Sequence, residues 1–280
     1  MPPATGVSDS LAEARAFAES VAGVLGRAET PETASSWVPG EAGQNSWPEI
    51  DALLDELGWD SLTQQAELVP YAGLAAVELG KQLAPVREVD RLLGGSPLSN
   101  DLVRTAQPMV VVRENGAIVR RLVVAAEPCP SADGLEVHRV LELGEPVPIP
   151  EHDWAQAKNA WLAAGVGYLA GLGLGALELT SDYVRQRRAF GSTLAGLAPV
   201  QQLLAGAATA TRGVQLLASD KPDADALAHA GPTIAQACAA CQQVTGAIGF
   251  TLEYPLHRYT QRARALSTWN DALLDQLIEP

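Results

Sequence analysis

Lysine is almost missing from this chain. Lys81, Lys158 and Lys221 are the only three among 280 residues, and with arginine included the basic residues number 19 against 33 acidic ones, a formal charge of −14. Nucleic acid and anionic membranes both call for a positive footprint, which so acidic a chain offers only where its arginines cluster. Neither is expected as a partner. Cysteine is scarce and odd in number, at Cys129, Cys238 and Cys241. The N-terminal MPPATGVSDSLAEA has neither the basic nor the apolar part of a leader, so a reducing cytoplasm is expected. Cys238 and Cys241 form a CxxC within QACAACQQV, which reads as helix. No second pair and no close histidine completes a zinc or redox site, so two small residues facing a neighbouring helix is the favoured reading. The histidines, His138, His152, His229 and His257, are scattered. Their spacing builds neither a metal set nor a Ser-His-Asp or Cys-His arrangement.

Apolar periodicity is abundant. Hydrophobic residues make up 47% and charged ones 19%, which is a globular composition. Residues 160–177, AWLAAGVGYLAGLGLGAL, carry no charge and approach the length of a bilayer span. No second such run exists, and this one continues into polar ELTSDYVRQRR, so it reads as the buried central helix of a bundle. Gly167, Gly171 and Gly175 recur every fourth residue and leave one face nearly bare, which permits close approach by another helix or a subunit.

The order of elements predicts an α+β chain, mainly α. Ser10-Leu11-Ala12-Glu13 reads as a capping box opening a first helix, with Leu11, Ala14, Ala18, Val21 and Leu25 on one face. Residues 28–45 read as a loop. Ser46-Trp47-Pro48-Glu49 opens a second helix that Gly58 stops, and a third runs through YAGLAAVELGKQL. MVVV and AIVRRLVVAA flank a turn at Asn115-Gly116, and EVHRVLEL adds a third strand. Helices are then expected over roughly 153–188, from near Pro199, and over 223–246 with a kink at Gly231-Pro232. One or two shorter helices follow GAIGF. The domains expected are an N-terminal helical domain over 1–105, a reduced antiparallel β domain over 106–150, and a C-terminal helical bundle over 151–280.

Two stretches carry chemistry. YVRQRRAFGSTL ends the long apolar helix in Arg185, Arg187 and Arg188, followed by Phe190-Gly191. A guanidinium suits two phosphate oxygens, although a cation also simply complements a helix C-terminus. TGAIGFTLEYPLHRY follows a later helix, and its Gly246 and Gly249 let backbone amides approach a ligand or make a tight turn. Together the two stretches resemble the C-terminal bundle of the acyl-CoA dehydrogenase family, and LDELGWDSL and VELGKQLAPV resemble that family's first-domain helices.

The resemblance covers residues 46–275 and implies FAD shared across a subunit interface. Arg187 would pair with its pyrophosphate, Phe190 would pack against it, Gln243 would bond the ADP moiety, and the turn at Gly246 and Gly249 would bring amides to the phosphates. The departures are as informative. Family members are longer, mostly in the sheet. Ala198 stands where a glutamine is usual, with Gln201 three further on. Asn270 occupies the place of the catalytic base, an amide that cannot take a proton. Asp271 is adjacent but turned about 100° round the helix. The family's alternative base position falls near Trp161, and Glu253 matches a glutamate beside the glycine turn rather than the base. The chain is therefore expected to be the shortened subunit of a heteromeric acyl-CoA dehydrogenase, similar to actinobacterial α2β2 enzymes of steroid catabolism. It would supply ADP-side FAD contacts while a full-length acyl-CoA dehydrogenase subunit supplies base and flavin cradle for an acyl-CoA substrate, the steroid acyl group resting on the analogy alone. The competing reading is a non-catalytic, FAD-free scaffold that keeps the bundle for assembly.

Overall fold

The computed structural model describes residues 5–26, 47, 50–131 and 134–278, with side chains in the first helix from Ser10 onward. The first helix, α1 (Thr5–Leu25), begins before the expected capping box, so Ser10 lies in its second turn rather than at its cap. The expected loop at 28–45 and most of the capping box at 46–49 lie outside the described residues. α2 (Ile50–Glu56) stops where Gly58 turns left-handed at φ 79°, as the sequence implied. α3 (Val69–Lys81) and the short α4 (Arg87–Arg91) complete the N-terminal helices.

The strands begin at Ser96, ten residues before the expected domain boundary: β1 (Ser96–Ser99), β2 (Leu102–Val103), β3 (Met109–Glu114), β4 (Ala117–Pro128), β5 (His138–Leu143) and β6 (Val147–Pro148). Asn115 at φ 50° and Gly116 at φ 83° make the two-residue β3–β4 hairpin turn, where both residues need positive φ. The pairings β1–β2, β2–β5, β5–β4, β4–β3 and β3–β1 form a ring. The sheet is not purely antiparallel as expected, because β1 and β3 run parallel, Ser96 facing Val110. Leu98, Val103, Val110 and Val140 fill its own small core.

The bundle follows: α5 (Glu151–Gln186), a hairpin of β7 (Arg188–Ala189) and β8 (Ser192–Thr193), α6 (Ala198–Ala218), α7 (Ala224–Thr245) and α8 (Leu256–Leu277). α7 runs unbroken through Pro232. α8 is a single 22-residue helix where one or two shorter ones were expected. α5 passes the length and hydropathy test for a membrane span, but 83% of its apolar window is buried inside the protein.

Its glycine face is filled from within. A methyl group at Gly167 would strike the carbonyl of Gly73, one at Gly171 that of Val77, and one at Gly80 that of Tyr168, so α3 and α5 cross at backbone contact. Gly175 makes room instead for the ring of Tyr259 from α8. Because α3 packs so closely on α5, one hydrophobic core runs through the N-terminal helices and the bundle, with Trp59, Trp161 and Tyr168 buried in it.

Candidate functional site

α5 and α7 run in the same direction, since Gly165 meets Leu227 and, further along both helices, Gly173 meets Ile234. Their C-termini therefore reach the same end of the bundle. There the ring of Tyr183 lies 5.9 Å from that of Tyr254, whose hydroxyl donates to the carbonyl of Leu179 at 2.8 Å. This brings the arginine segment and the glycine turn, distant in sequence, to one end of the molecule.

At that end α5 stops at Arg187, whose backbone is extended and whose N–H donates to Tyr183 O. Its side chain is exposed, and among the described residues it has no ion-pair partner. Arg188 begins the hairpin, which turns on Phe190 at φ 55° and Gly191 at φ 81°. Phenylalanine is unsuited to positive φ, and its side chain is 92% exposed. A bulky apolar residue is thus held in a costly backbone conformation and left in water, two costs that no contact within the described residues offsets.

The glycine turn answers the sequence reading in part. Gly246, at φ 69° and ψ −145°, occupies a conformation that favours glycine, and its N–H donates to Gln242 O. That amide is spent within the helix end, which leaves the other amides of the turn as the ones to approach a ligand. No atom lies within 4 Å of where a Cβ would stand, so the face of Gly246 is open to close approach. Gly249 is buried, and a Cβ there would collide with the hydroxyl of Thr245. Gln243 is exposed and among the described residues its side chain makes no hydrogen bond, while its neighbour Gln242 is buried and donates from Nε2 to Gly249 O at 3.0 Å. Sequence reasoning missed that the turn is held by Gln242. Ile248, Phe250 and Leu252 are exposed around it at 37%, 64% and 54%.

Away from this end, a second constellation lies wholly inside. Asn270 is 3% exposed and its Oδ1 accepts from Arg104 Nη1 at 2.7 Å. Arg104 also grips Asp90 through Nε at 3.1 Å and Nη2 at 2.8 Å. Trp161 Nε1 donates to Asp90 Oδ1 and Thr105 Oγ1 to Asp90 Oδ2, each at 3.1 Å. Both positions that the resemblance assigns to a base, Asn270 and Trp161, thus converge on one point, and neither is acidic. Asp271 is exposed and outside the cluster, as is Glu253. Asp90 and Arg104 carried no sequence signal beyond two charges in apolar surroundings, and the contact to Asn270 spans 166 residues. Gln201 turns back on Ala195 O at 2.8 Å.

Cys238 and Cys241 are both buried, and burial pushes both thiols up, away from the thiolate that redox or zinc chemistry uses. Among the described residues no group of three His, Cys, Asp or Glu is placed to hold a metal.

Residues 162–270 match the family model of the acyl-CoA dehydrogenase C-terminal domain. The acyl-CoA dehydrogenase FadE28 of Mycobacterium tuberculosis is 33% identical over 118 residues, 38% of this chain and 35% of that protein, so the match spans about a third of the relative's length. The fold is shared with the Tcur3481–Tcur3483 steroid ACAD G363A variant (TM-score 0.67, 15% identity, 94% of each chain). It is shared also with the ChsE4–ChsE5 complex of Mycobacterium tuberculosis (TM-score 0.68, 13% identity, 94% of this chain and 93% of that one). A glutaryl-coenzyme A dehydrogenase in complex with glutaryl-CoA is similar too (TM-score 0.66, 14% identity, 96% of each chain).

Proposed function

We propose that this chain, whose residues 162–270 match the acyl-CoA dehydrogenase C-terminal domain and whose fold is shared with a glutaryl-coenzyme A dehydrogenase, is an acyl-CoA dehydrogenase subunit that holds one side of a shared FAD and takes no part in the proton abstraction itself. FAD, when bound, supplies the hydride acceptor for α,β-dehydrogenation of an acyl-CoA thioester. The residues at the bundle end suit its ADP half. Arg187 offers an uncommitted guanidinium to a pyrophosphate. Exposed Phe190 offers an apolar face, Gln243 an amide, and Gly246 a surface without a side chain. The base must come from elsewhere, because Asn270 accepts its hydrogen bond from Arg104 and offers no carboxylate. The partner proposed is a full-length acyl-CoA dehydrogenase subunit, which brings base and flavin cradle. That two of the similar folds come from the Tcur3481–Tcur3483 steroid ACAD and the ChsE4–ChsE5 complex supports both a heteromeric partner and a steroid-derived acyl group.

The observation that carries this reading is the free Arg187 beside the strained, exposed Phe190. Co-purified with its partner, the chain should give a yellow complex with one FAD per pair, and Arg187→Ala should weaken FAD retention at least tenfold, roughly the loss of one charge-assisted hydrogen bond. A complex without flavin, or one indifferent to Arg187→Ala, would instead favour the FAD-free scaffold, which the buried, non-acidic Asn270 also fits.

A further inference from the structure

At the opposite end of α5 from Arg187, a cavity of about 510 Å³ opens between the segment after α2, the end of α4, the sheet and the first two turns of α5. Its size is that of a small-molecule site. Its charges fall into two classes. Arg91 is spent, with Nη2 ion-paired to Asp55 and Asp60 and Nη1 to Glu88. Asp60 is spent on it in turn. Arg120, from β4, is not. Its Nη2 donates to Leu93 O at 3.1 Å, but it has no ion pair among the described residues, and its Nε is buried without a hydrogen-bond partner. The guanidinium lies against the backbone of Gly94, whose φ of 75° suits glycine and where a methyl group would strike it. A half-buried cation without a counter-ion is costly, yet the chain makes room for this one and supplies no carboxylate to it.

Asp153, in the first turn of α5, is the complementary case. It is an exposed carboxylate lining the same cavity, with no ion pair among the described residues. Three amides share the lining with these two charges. The side chains of Gln64 and Gln156 make no hydrogen bond among the described residues, and Gln107 donates from Nε2 to Arg87 O at 3.1 Å, which leaves its oxygen to accept. With Arg91 and Arg120 set against Asp60 and Asp153, the cavity is neutral as a whole. A phosphate would meet one open guanidinium beside two carboxylates in a chain of charge −14. A molecule that carries both charges meets a partner at each pole.

We propose that this cavity binds a small zwitterion of the α-amino-acid type, its carboxylate on Arg120, its ammonium on Asp153 and a polar body along Gln64, Gln107 and Gln156. A guanidinium matches the planar carboxylate, and an ammonium brings three donors to a carboxylate that has none. The site stands apart from the flavin-subunit reading and does not depend on it. The same chemistry is offered by a free amino acid and by a short peptide, whose two charges stand further apart.

Isothermal titration of the whole chain separates the two sources. L-glutamine or glycylglycine should show one saturable site per chain with a Kd of about 1 mM, roughly what two charge-assisted hydrogen bonds allow. Whichever binds more tightly names the source, and either result supports the proposal. N-acetylglutamine, which lacks the ammonium, and glutaminamide, which lacks the carboxylate, should each bind about tenfold or more weakly than glutamine. Arg120→Gln and Asp153→Asn should each weaken the zwitterion to the same degree. Asp153 is exposed, so Asp153→Asn should leave the unfolding midpoint of the free chain in place, and it carries the test with the two analogues should Arg120→Gln fail to fold. No saturable binding of either zwitterion up to about 50 mM would overturn the proposal. So would an analogue lacking one charge that binds as tightly, binding that survives both substitutions, or inorganic phosphate that binds more tightly than either zwitterion.

Discussion

If Phe190 packs against FAD as proposed, stability and function are set against each other at a single side chain. An Asn-Gly pair is the preferred occupant of a hairpin turn in which both residues have positive φ. Phe190→Asn should therefore hold or raise the thermal midpoint of the isolated chain, since the φ of 55° ceases to be costly. The same exchange should weaken FAD retention in the partnered complex, measured by flavin released on gel filtration. Glu88 poses a different question, because it is fully buried and yet ion-paired to Arg87 and Arg91, each at 3.0 Å. Burial, with the nearby Asp51 carboxyl, pushes Glu88 up from 4.5 to about 8. Asp51 is held low: burial opposes this, but the hydrogen bond with Glu88 and the charge of Arg87 outweigh it. Between those two values for Glu88 the folded chain keeps a proton that the unfolded chain gives up. Its contribution to stability is complete below pH 4.5 and is lost as pH rises through about 8. The wild type should lose up to about 1.4 kcal/mol per pH unit across that window, and Glu88→Gln should flatten the slope in urea titrations.

Between elements, the same substitution should have opposite signs at two glycines. Gly171→Ala puts a methyl group into the backbone of α3, which cannot yield as a flexible side chain would, and should destabilise by about 3 kcal/mol or more. Gly206→Ala, on the outer face of α6 with nothing within 4 Å, should stabilise by roughly 0.5–1 kcal/mol. Chemical unfolding of the two variants decides both. The long helices were legible in the sequence because their apolar residues recur at helical spacing and Gly58 and Phe190-Gly191 punctuate them, while Asn115-Gly116 announced the hairpin. The stripe at Gly167 and Gly171 announced a close crossing without naming the partner, which is α3 of the same chain. The strands at 96–103 were not legible: SPLS and LV are too short for any period to show, and their pairing with β3 and β5 is a long-range matter. Of the candidate site, Arg187, Phe190 and the glycine turn could be read from local pattern. The Asp90–Arg104–Asn270 contact could not, since its members share no local spacing.

On the scale of the whole molecule, the chain has two unlike ends of one bundle. One presents uncommitted Arg187 and exposed Phe190, Ile248, Phe250 and Leu252. The other is sealed around Arg104 and bound to the sheet, where Arg113 donates to the carbonyls of Gln276 and Leu277 at the end of α8. The proposed flavin-subunit reading makes a quantitative prediction at this scale: the chain purified alone should be colourless, and flavin should appear only with a partner. Spectra of the two preparations, at equal protein concentration, settle it.

The ring of strands has a further consequence. The ring is closed through two-residue pairings of β1 and β2, and the strand outside it, β6, is itself two residues long and ends in Pro148, so the two strands at those joins are too short to template a long foreign strand. Growth by adding a foreign strand is thereby discouraged, which protects against edge-to-edge aggregation. A partner that meets this protein through its β region finds the exposed side chains of Leu122, Val124 and Leu141 there.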